Sequence, residues 1–179
     1  MVMTHSSICI LDDLVCMGCC GRDYTSREDV LLAIDKNTRE FKACQDLQEF
    51  RDRPHSRYLR DCGVCRNVIF SDDDKTRVIC PIHPKVANTS ADLREGHCEV
   101  EYLCKAAFLF DLWDEKKQEA FISSLKKKDL DWWTFSMGMD DDSFVDGFED
   151  HYHQLSQPVE QAPRVSFQKQ RPKKTSKKT

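Results

Sequence analysis

No long apolar run occurs in this sequence. The longest unbroken one, Ala106 to Phe110, is far short of the roughly 18 residues a membrane span requires, so no transmembrane segment is expected. A secretory leader is not expected either: the first seven residues are mainly polar, and the apolar stretch 8–11 is too short for the core of a signal peptide. The short motifs of common catalytic sites are missing too. There is no H-E-x-x-H, no H-x-E…P-C-x-x-C, no phosphate-cradling glycine loop and no G-x-S-x-G elbow; Cys80-Pro81-Ile82-His83 lacks both the upstream H-x-E and the second cysteine. A cysteine nucleophile working with a histidine remote in sequence stays open, since such partners meet only in space. No internal repeat is visible beyond a recurring C-x-x-C theme.

What is present is charge and cysteine. A chain of 179 residues has room for one compact domain plus a tail, but with 32 % charged and 40 % apolar residues its core is modest. Ten cysteines are the obvious staples. With no leader expected, the reading is cytoplasmic, where thiols stay reduced and closely spaced cysteines favour metal over disulfide. Residues 155–179 carry seven Lys/Arg against one acid, Glu160, so against −4 overall the first 154 residues hold −10. The expectation is a single metal-binding domain over 1–154 and a disordered basic tail over 155–179, rich in Pro, Gln, Ser and Lys. The cationic 164–179 stretch can hold RNA or DNA through counterion release, or lie against the protein's own acids at 140–150.

The chain is organised around residues 62–83. Cys62-x-x-Cys65 and Cys80-x-x-His83 bracket fourteen residues that read as a hairpin, with strands at 67–70 and 76–79 around the polar turn 71–75. Folding that hairpin brings Cys62, Cys65, Cys80 and His83 together, a donor set suited to tetrahedral zinc. The element, spanning 60–85, resembles a zinc ribbon with histidine as its last ligand. The resemblance implies a structural zinc ion and a fold element, and names no activity.

A second knuckle-like turn is Cys16-Met17-Gly18-Cys19-Cys20-Gly21, where the glycines let the backbone wrap a metal. It partly resembles the C-x-x-C-x-x-C-C pattern of cysteine-cluster proteins described as zinc- or iron-chelating domains, with Asp13 where the first cysteine would stand. That resemblance implies chelation alone. Further on, Gly96 allows a turn before Cys98, and Cys104 falls in the first turn of a helix expected over 102–113, where the helix dipole favours a thiolate. Cys16 with Cys19 or Cys20, Cys62 with Cys65, Cys80 with His83, and Cys98 with Cys104 make four pairs, enough for two closed sites. The preferred pairing joins the two ribbon pairs and joins the first and last pairs as a second clasp, with crossed pairings left open. An iron–sulfur cluster on Cys16, Cys19 or Cys20, Cys98 and Cys104 is the rival at that second site. Cys9 and Cys44 lie in apolar patterns and read as core packing, and His97 as a surface residue.

Helices are expected from 25 to about 50, capped by Thr25-x-x-Glu28 and weak at 36–38, then over 102–113, over 115–127, and after the acids 140–142. Residues 84–92 read as a loop and 131–135 as an aromatic loop. The arginines between 51 and 66 read as a solvated linker pairing with Glu49, Asp52 and Asp61, or as a phosphate-contacting edge. The last helix presents Asp146, Glu149 and Asp150 on one face, suited to a basic partner or the tail. The fold class expected is α+β: a small metal-stapled domain with a central zinc-ribbon hairpin flanked by N- and C-terminal helices. The function expected is a non-catalytic zinc-binding module with two sites that docks on a protein or nucleic acid and not on a membrane. The alternatives are an iron–sulfur or redox protein and a metal-dependent enzyme.

Overall fold

The computed structural model describes residues 6–89, 91–100 and 102–156, the last four as backbone alone. The predicted tail beyond residue 156 lies outside the described residues, and its first two positions, 155 and 156, continue the last helix. Among the described residues the chain is α+β, with seven α-helices and two small antiparallel sheets. None of these helices is long and apolar enough to cross a membrane.

The first sheet is a hairpin of β1 (Ile10–Leu11) and β2 (Leu14–Val15), which turns at Asp12 and Asp13. Asp12 takes a left-handed φ of 51°, a conformation aspartate tolerates better than bulky or β-branched residues do. Helix α1 (Arg27–Ala43) starts one residue later than the capping box suggests: Ser26 is the cap, and its hydroxyl accepts the Asp29 N–H at 3.1 Å. It runs unbroken through 36–38 and ends at Cys44; Asp46 then caps the short α2 (Leu47–Asp52) ahead of Pro54.

The supposed weak point of α1 is its docking point. The inward face of the helix is Val30, Ile34, Asn37 and Thr38, the i, i+4, i+7, i+8 stripe of an amphipathic helix whose far half is polar. Asn37, fully buried, donates to the carbonyls of Cys65 (3.0 Å) and Val68 (2.8 Å) and accepts from Arg60 Nε (2.8 Å). Thr38 donates to Ile34 O and accepts the Phe70 N–H at 2.9 Å. These bonds hold α1 against β3 (Ile69–Phe70), which pairs with β4 (Val78–Ile79) in the register Ile69↔Ile79. The strands are shorter than expected, since at the tip the Thr76 N–H and hydroxyl donate to the Asp72 carboxylate instead. Arg77 bonds Asp13 and so ties the second hairpin to the first.

After β4 comes a short helix, α3 (Pro84–Ala87), where a loop was expected; proline at its first position suits a helix start. The helical half holds α4 (Lys105–Leu112), α5 (Glu115–Lys126), α6 (Trp132–Asp140) and α7 (Ser143–Ser156). The aromatic stretch at 131–135 is not a loop. Asp131 caps α6 through the Thr134 N–H, and the helix connects two apolar clusters. Phe135 and Met139 join Ile8, Phe110, Phe121 and Phe148 in one; Trp132 joins Val30, Ile34, Val64 and Phe70 in the other. A third, smaller cluster is Phe50, Ile69 and Ile82.

The arginine-rich segment divides. Arg51 and Arg57 pair with Asp52 and Asp61 near the surface, as the linker reading expects. Arg53 and Arg60 instead turn inward onto Glu40 of α1, at 3.1 and 2.6 Å. On α7, Asp146 and Glu149 already meet Lys105 and Lys117 of the same chain.

Two measurements check these contacts. Asn37→Ala leaves buried carbonyls without donors and is expected to lower unfolding free energy by about 1–3 kcal/mol in urea titration, while Arg39→Ala, in an exposed 3.5 Å pair, should stay within about 0.5 kcal/mol. Partial burial pushes the Glu40 carboxyl up, but hydrogen bonds from Arg60 and Arg53 outweigh it and hold the group below the usual glutamate range. The unfolded chain therefore takes up this proton first on acidification. The contribution of Glu40 is complete above its unfolded value of about 4.3 and is lost as the pH falls through the folded one. Glu40→Gln should flatten that acid limb of the stability–pH curve and leave the neutral-to-alkaline limb parallel to the parent.

Candidate metal centre

The first hairpin places two thiols side by side. Cys9 and Cys16 stand at equal distances along the chain from the Asp12–Asp13 turn, and the Cys16 N–H donates to the Cys9 carbonyl at 2.8 Å. Beyond Cys16 the chain tightens into a single 3₁₀ turn over Gly18–Cys20. The Met17 N–H, donating to Ser136 Oγ (3.0 Å), holds that turn on the helical half, and the Tyr24 hydroxyl braces it locally by donating to the carbonyls of Met17 (2.8 Å) and Gly18 (3.1 Å). Gly18 lies so close to α6 that a Cβ there would fall 2.9 Å from the Ser136 carbonyl oxygen. Cys104 arrives from the other side as the N-cap of α4, its sulfur accepting the Ala107 N–H at 3.5 Å. Cys9, Cys16 and Cys104 all pack against the same apolar cluster.

A second group forms where the chain after Cys20 pairs with the knuckle before β3. The Cys65 N–H donates to the Cys20 carbonyl at 2.7 Å, Arg22 N–H to Gly63 O at 3.2 Å, and Gly21 bridges Val64. Gly63 is required here: its φ is +91°, and a Cβ would collide with the Arg22 carbonyl. Continuing the β3–β4 register one step places Cys80 opposite Val68, beside the Cys65 turn. Cys98 follows a loop whose Arg94 is buried, 8 % exposed, and grips the Asp92 carboxylate at 2.6–3.2 Å. That guanidinium lies near Cys80 and Cys98 and acts on Cys19 as well.

Several sulfurs are turned toward backbone donors. Cys16 accepts from Gly18 N–H (3.4 Å), Cys65 from Asn67 (3.4 Å) and Val68, Cys80 from Ile82, and Cys104 from Ala107 and Ala106. An N–H aimed at sulfur favours the thiolate. Burial opposes it. Cys9 is pushed up to about 12 by burial and then by its neighbours Cys19 and Cys104, and Cys80 to about 12 by burial, Cys65 and then Cys98. Burial likewise raises Cys16, with Cys19, Cys9 and Cys104 adding to it. Cys20 rises because of its hydrogen bond with Cys19 and then burial, with Cys80 and Cys65 contributing; the same bond draws Cys19 down to about 7.

Those charge interactions reach further than coordination does. Thiolates around one zinc stand about 3.8 Å apart, given Zn–S bonds of about 2.3 Å, whereas charges are felt over about 10 Å. Among the described residues, no three His, Cys, Asp or Glu side chains are gathered closely enough to grip an ion. The thiols are neighbours that have not closed into a cage.

Of the residues singled out from sequence, Cys16, Cys19, Cys20, Cys65, Cys80, Cys98 and Cys104 fall in this neighbourhood. Cys62 is buried in the apolar cluster of Met17, Val30 and Val64, against which Cys20 and Cys65 also pack. The His83 ring caps α3, its Nδ1 accepting the Lys85 N–H at 3.2 Å. Cys44 packs beside Phe50 as expected, and His97 is largely covered by Tyr58 instead of lying on the surface. Cys9 packs against an apolar cluster as expected. Its equal spacing with Cys16 about an Asp-Asp turn was a usable signal for the first hairpin, which sequence reasoning missed, as it missed Arg94, for which no local pattern gave warning. No known protein family, curated protein or solved structure matches this chain.

Proposed function

We propose that the chain is a non-catalytic metal-binding module, held together by zinc at two sites, that docks on a macromolecular partner. The observation that carries this reading is the gathering of cysteines whose sulfurs receive backbone N–H groups, at Cys16, Cys65, Cys80 and Cys104. Packing alone gives a thiol no reason to be aimed this way, whereas a metal ligand needs its negative form stabilised. The β3–β4 hairpin between Cys65 and Cys80 fits the knuckle and strand portion of a zinc ribbon. Zinc bound here would join the N-terminal hairpin, the central hairpin and the start of α4, offsetting a small, divided core. A second reading, an iron–sulfur cluster, is favoured by one observation: the gathered donors are all cysteine, which such clusters prefer.

For docking, Tyr102, Phe108 and Leu112 are each more than half exposed around α4, an apolar strip suited to a protein partner. The cationic 164–179 segment suits nucleic acid.

Metal analysis of the full chain purified without oxygen tests the reading. The expected result is a colourless protein with about two zinc ions per chain, whose melting temperature falls by roughly 10 °C or more in a strong chelator. A brown protein carrying iron and sulfide selects the cluster reading. A protein free of both metals that melts identically with and without chelator overturns both. For the partner, deletion of residues 164–179 should weaken RNA binding and flatten its salt dependence; a full chain with no RNA affinity sends the search to proteins.

A further inference from the structure

The arginine-rich segment before β3 holds one cation that the fold does not use. Arg53 and Arg60 share Glu40, Arg51 pairs with Asp52, and Arg57 pairs with Asp61. The side chain of Arg66 makes no hydrogen bond or ion pair among the described residues, and its Nε is buried without a partner. A guanidinium stays charged and carries five donors, so a half-buried one with no acceptor costs the fold stability and favours an incoming anion. Even with Glu40 counted, the segment 51–66 sets five arginines against three acids, on a body whose first 154 residues sum to −10.

Strand pairing fixes where Arg66 stands. The turn at Cys62–Cys65 is closed by Arg60 N–H to Val64 O (2.8 Å) and Arg66 N–H to Tyr58 O (3.0 Å), with Leu59 bridging Cys65 in antiparallel fashion. Tyr58 is therefore directly opposite Arg66. Opposite residues on an antiparallel ladder share a face, with Cβ atoms about 5 Å apart. Cys65 packs onto the Val64 cluster, so alternation sends Arg66 and Tyr58 to the other side. Tyr58 is 52 % exposed there, and two imidazoles brace its ring edge-on: His55 at 4.9 Å and His97 at 5.7 Å between centroids. The loop carrying His97 is itself tied down, since Arg51 donates to the carbonyls of Leu93 and Glu95. His97 Nδ1 is a second buried polar atom without a partner among the described residues.

We infer that this face binds single-stranded nucleic acid, with a base stacked against Tyr58 and its two histidines and a neighbouring phosphate held by Arg66. The inference rests on the reading that the chain docks on a macromolecule, and goes beyond it by placing a site on the folded body, apart from the cationic 164–179 segment. Chemistry selects this partner. A guanidinium fork matches phosphate oxygens, and an aromatic ring stacks on any base because every base has a π-face. A duplex hides the faces of its bases and is read by a helix or ribbon laid in a groove, whereas the exposed element here is one tight turn with a fixed ring. Unstacked bases suit such a platform. An acidic peptide would satisfy Arg66 but give the ring and its histidines nothing to stack on.

The test is fluorescence anisotropy of the full chain with a labelled oligouridylate of about 12 nucleotides at physiological salt. Tyr58→Ala should weaken binding by roughly 5- to 100-fold, the worth of one stacked base, and Tyr58→Phe, which keeps the ring, should bind like the parent. Arg66→Gln should weaken it about tenfold, while Arg39→Gln, which removes the same charge from an exposed pair on α1, should stay within about twofold. A strand of the same length lacking bases should bind the parent as weakly as the intact strand binds Tyr58→Ala. Equal losses in Arg66→Gln and Arg39→Gln, full affinity for the baseless strand, or equal affinity for a duplex reduces the effect to general charge attraction and overturns the site. A parent that binds no strand overturns it as well and leaves the docking reading to a protein partner. Because a variant can fail to fold, photo-cross-linking of a thiouridine-bearing strand to the parent supplies an independent readout. Adducts at 55–66 or at His97 are expected, and adducts confined to 164–179 refute the site.

Discussion

The carboxamide of Asn37 is the contact on which the arrangement of the second hairpin depends. It is wholly buried, and it spends both its donors on the Cys65 and Val68 carbonyls and its oxygen on Arg60. A buried amide left half-satisfied would be costly; with three partners it becomes a directional clamp between α1 and the turn that leads into β3. The surroundings extend the clamp. Arg60 and Arg53 converge on Glu40, and Arg53 also reaches the carbonyls of Phe50 and Arg66 and the side chain of Asn67. A small apolar core is thus supplemented by a buried polar network, and the network lies where it holds the Cys65 carbonyl.

The two halves of the molecule are joined differently. Helix α6 carries Trp132 into one apolar cluster and Phe135 and Met139 into the other, and between them buried Ser136 accepts the Met17 N–H. Around Phe121 the helical half is aromatic: Trp113 and Phe148 lie 5.3 and 5.1 Å from it, ring to ring, at steep angles that suit the charge distribution of π-systems. The cysteine-bearing turn after β2 is pressed onto this rigid support, which is why glycine is needed at position 18.

Much of this was legible beforehand. The α+β class, the hairpin at 62–83, the helix after Asp114 and the stop near Pro54 follow from patterns that act locally: alternation, caps and proline. The aromatic stretch at 131–135 misled because its burial comes from both sides of a helix that bridges two clusters, so no single apolar face announces itself. Residues 36–38 looked like a break because Asn and Thr are mediocre helix formers, and their tertiary hydrogen bonds to Cys65, Val68 and Phe70 cannot be seen from the stretch itself. The neighbourhood of the cysteines was partly readable from C-x-x-C spacing. The part that was not, Cys9 beside Cys16 and Cys20 beside Cys65, arises from strand pairing across 7 and 45 residues. Glu40 as the partner of Arg53 and Arg60 was not foreseen either, since it lies on a helix 13 and 20 positions away.

The turn at Cys19 and Cys20 has a mechanical consequence. A peptide unit is flat and stiff; the one after Cys20 is anchored by the Cys65 N–H, while the turn just before it is held to α6 through Met17 and Ser136. Tilting that plane moves the turn and the Cys65 knuckle together. A shift of the second hairpin is therefore passed to the helical half through a few stiff backbone units, so the two halves behave as linked parts and not as independent compartments.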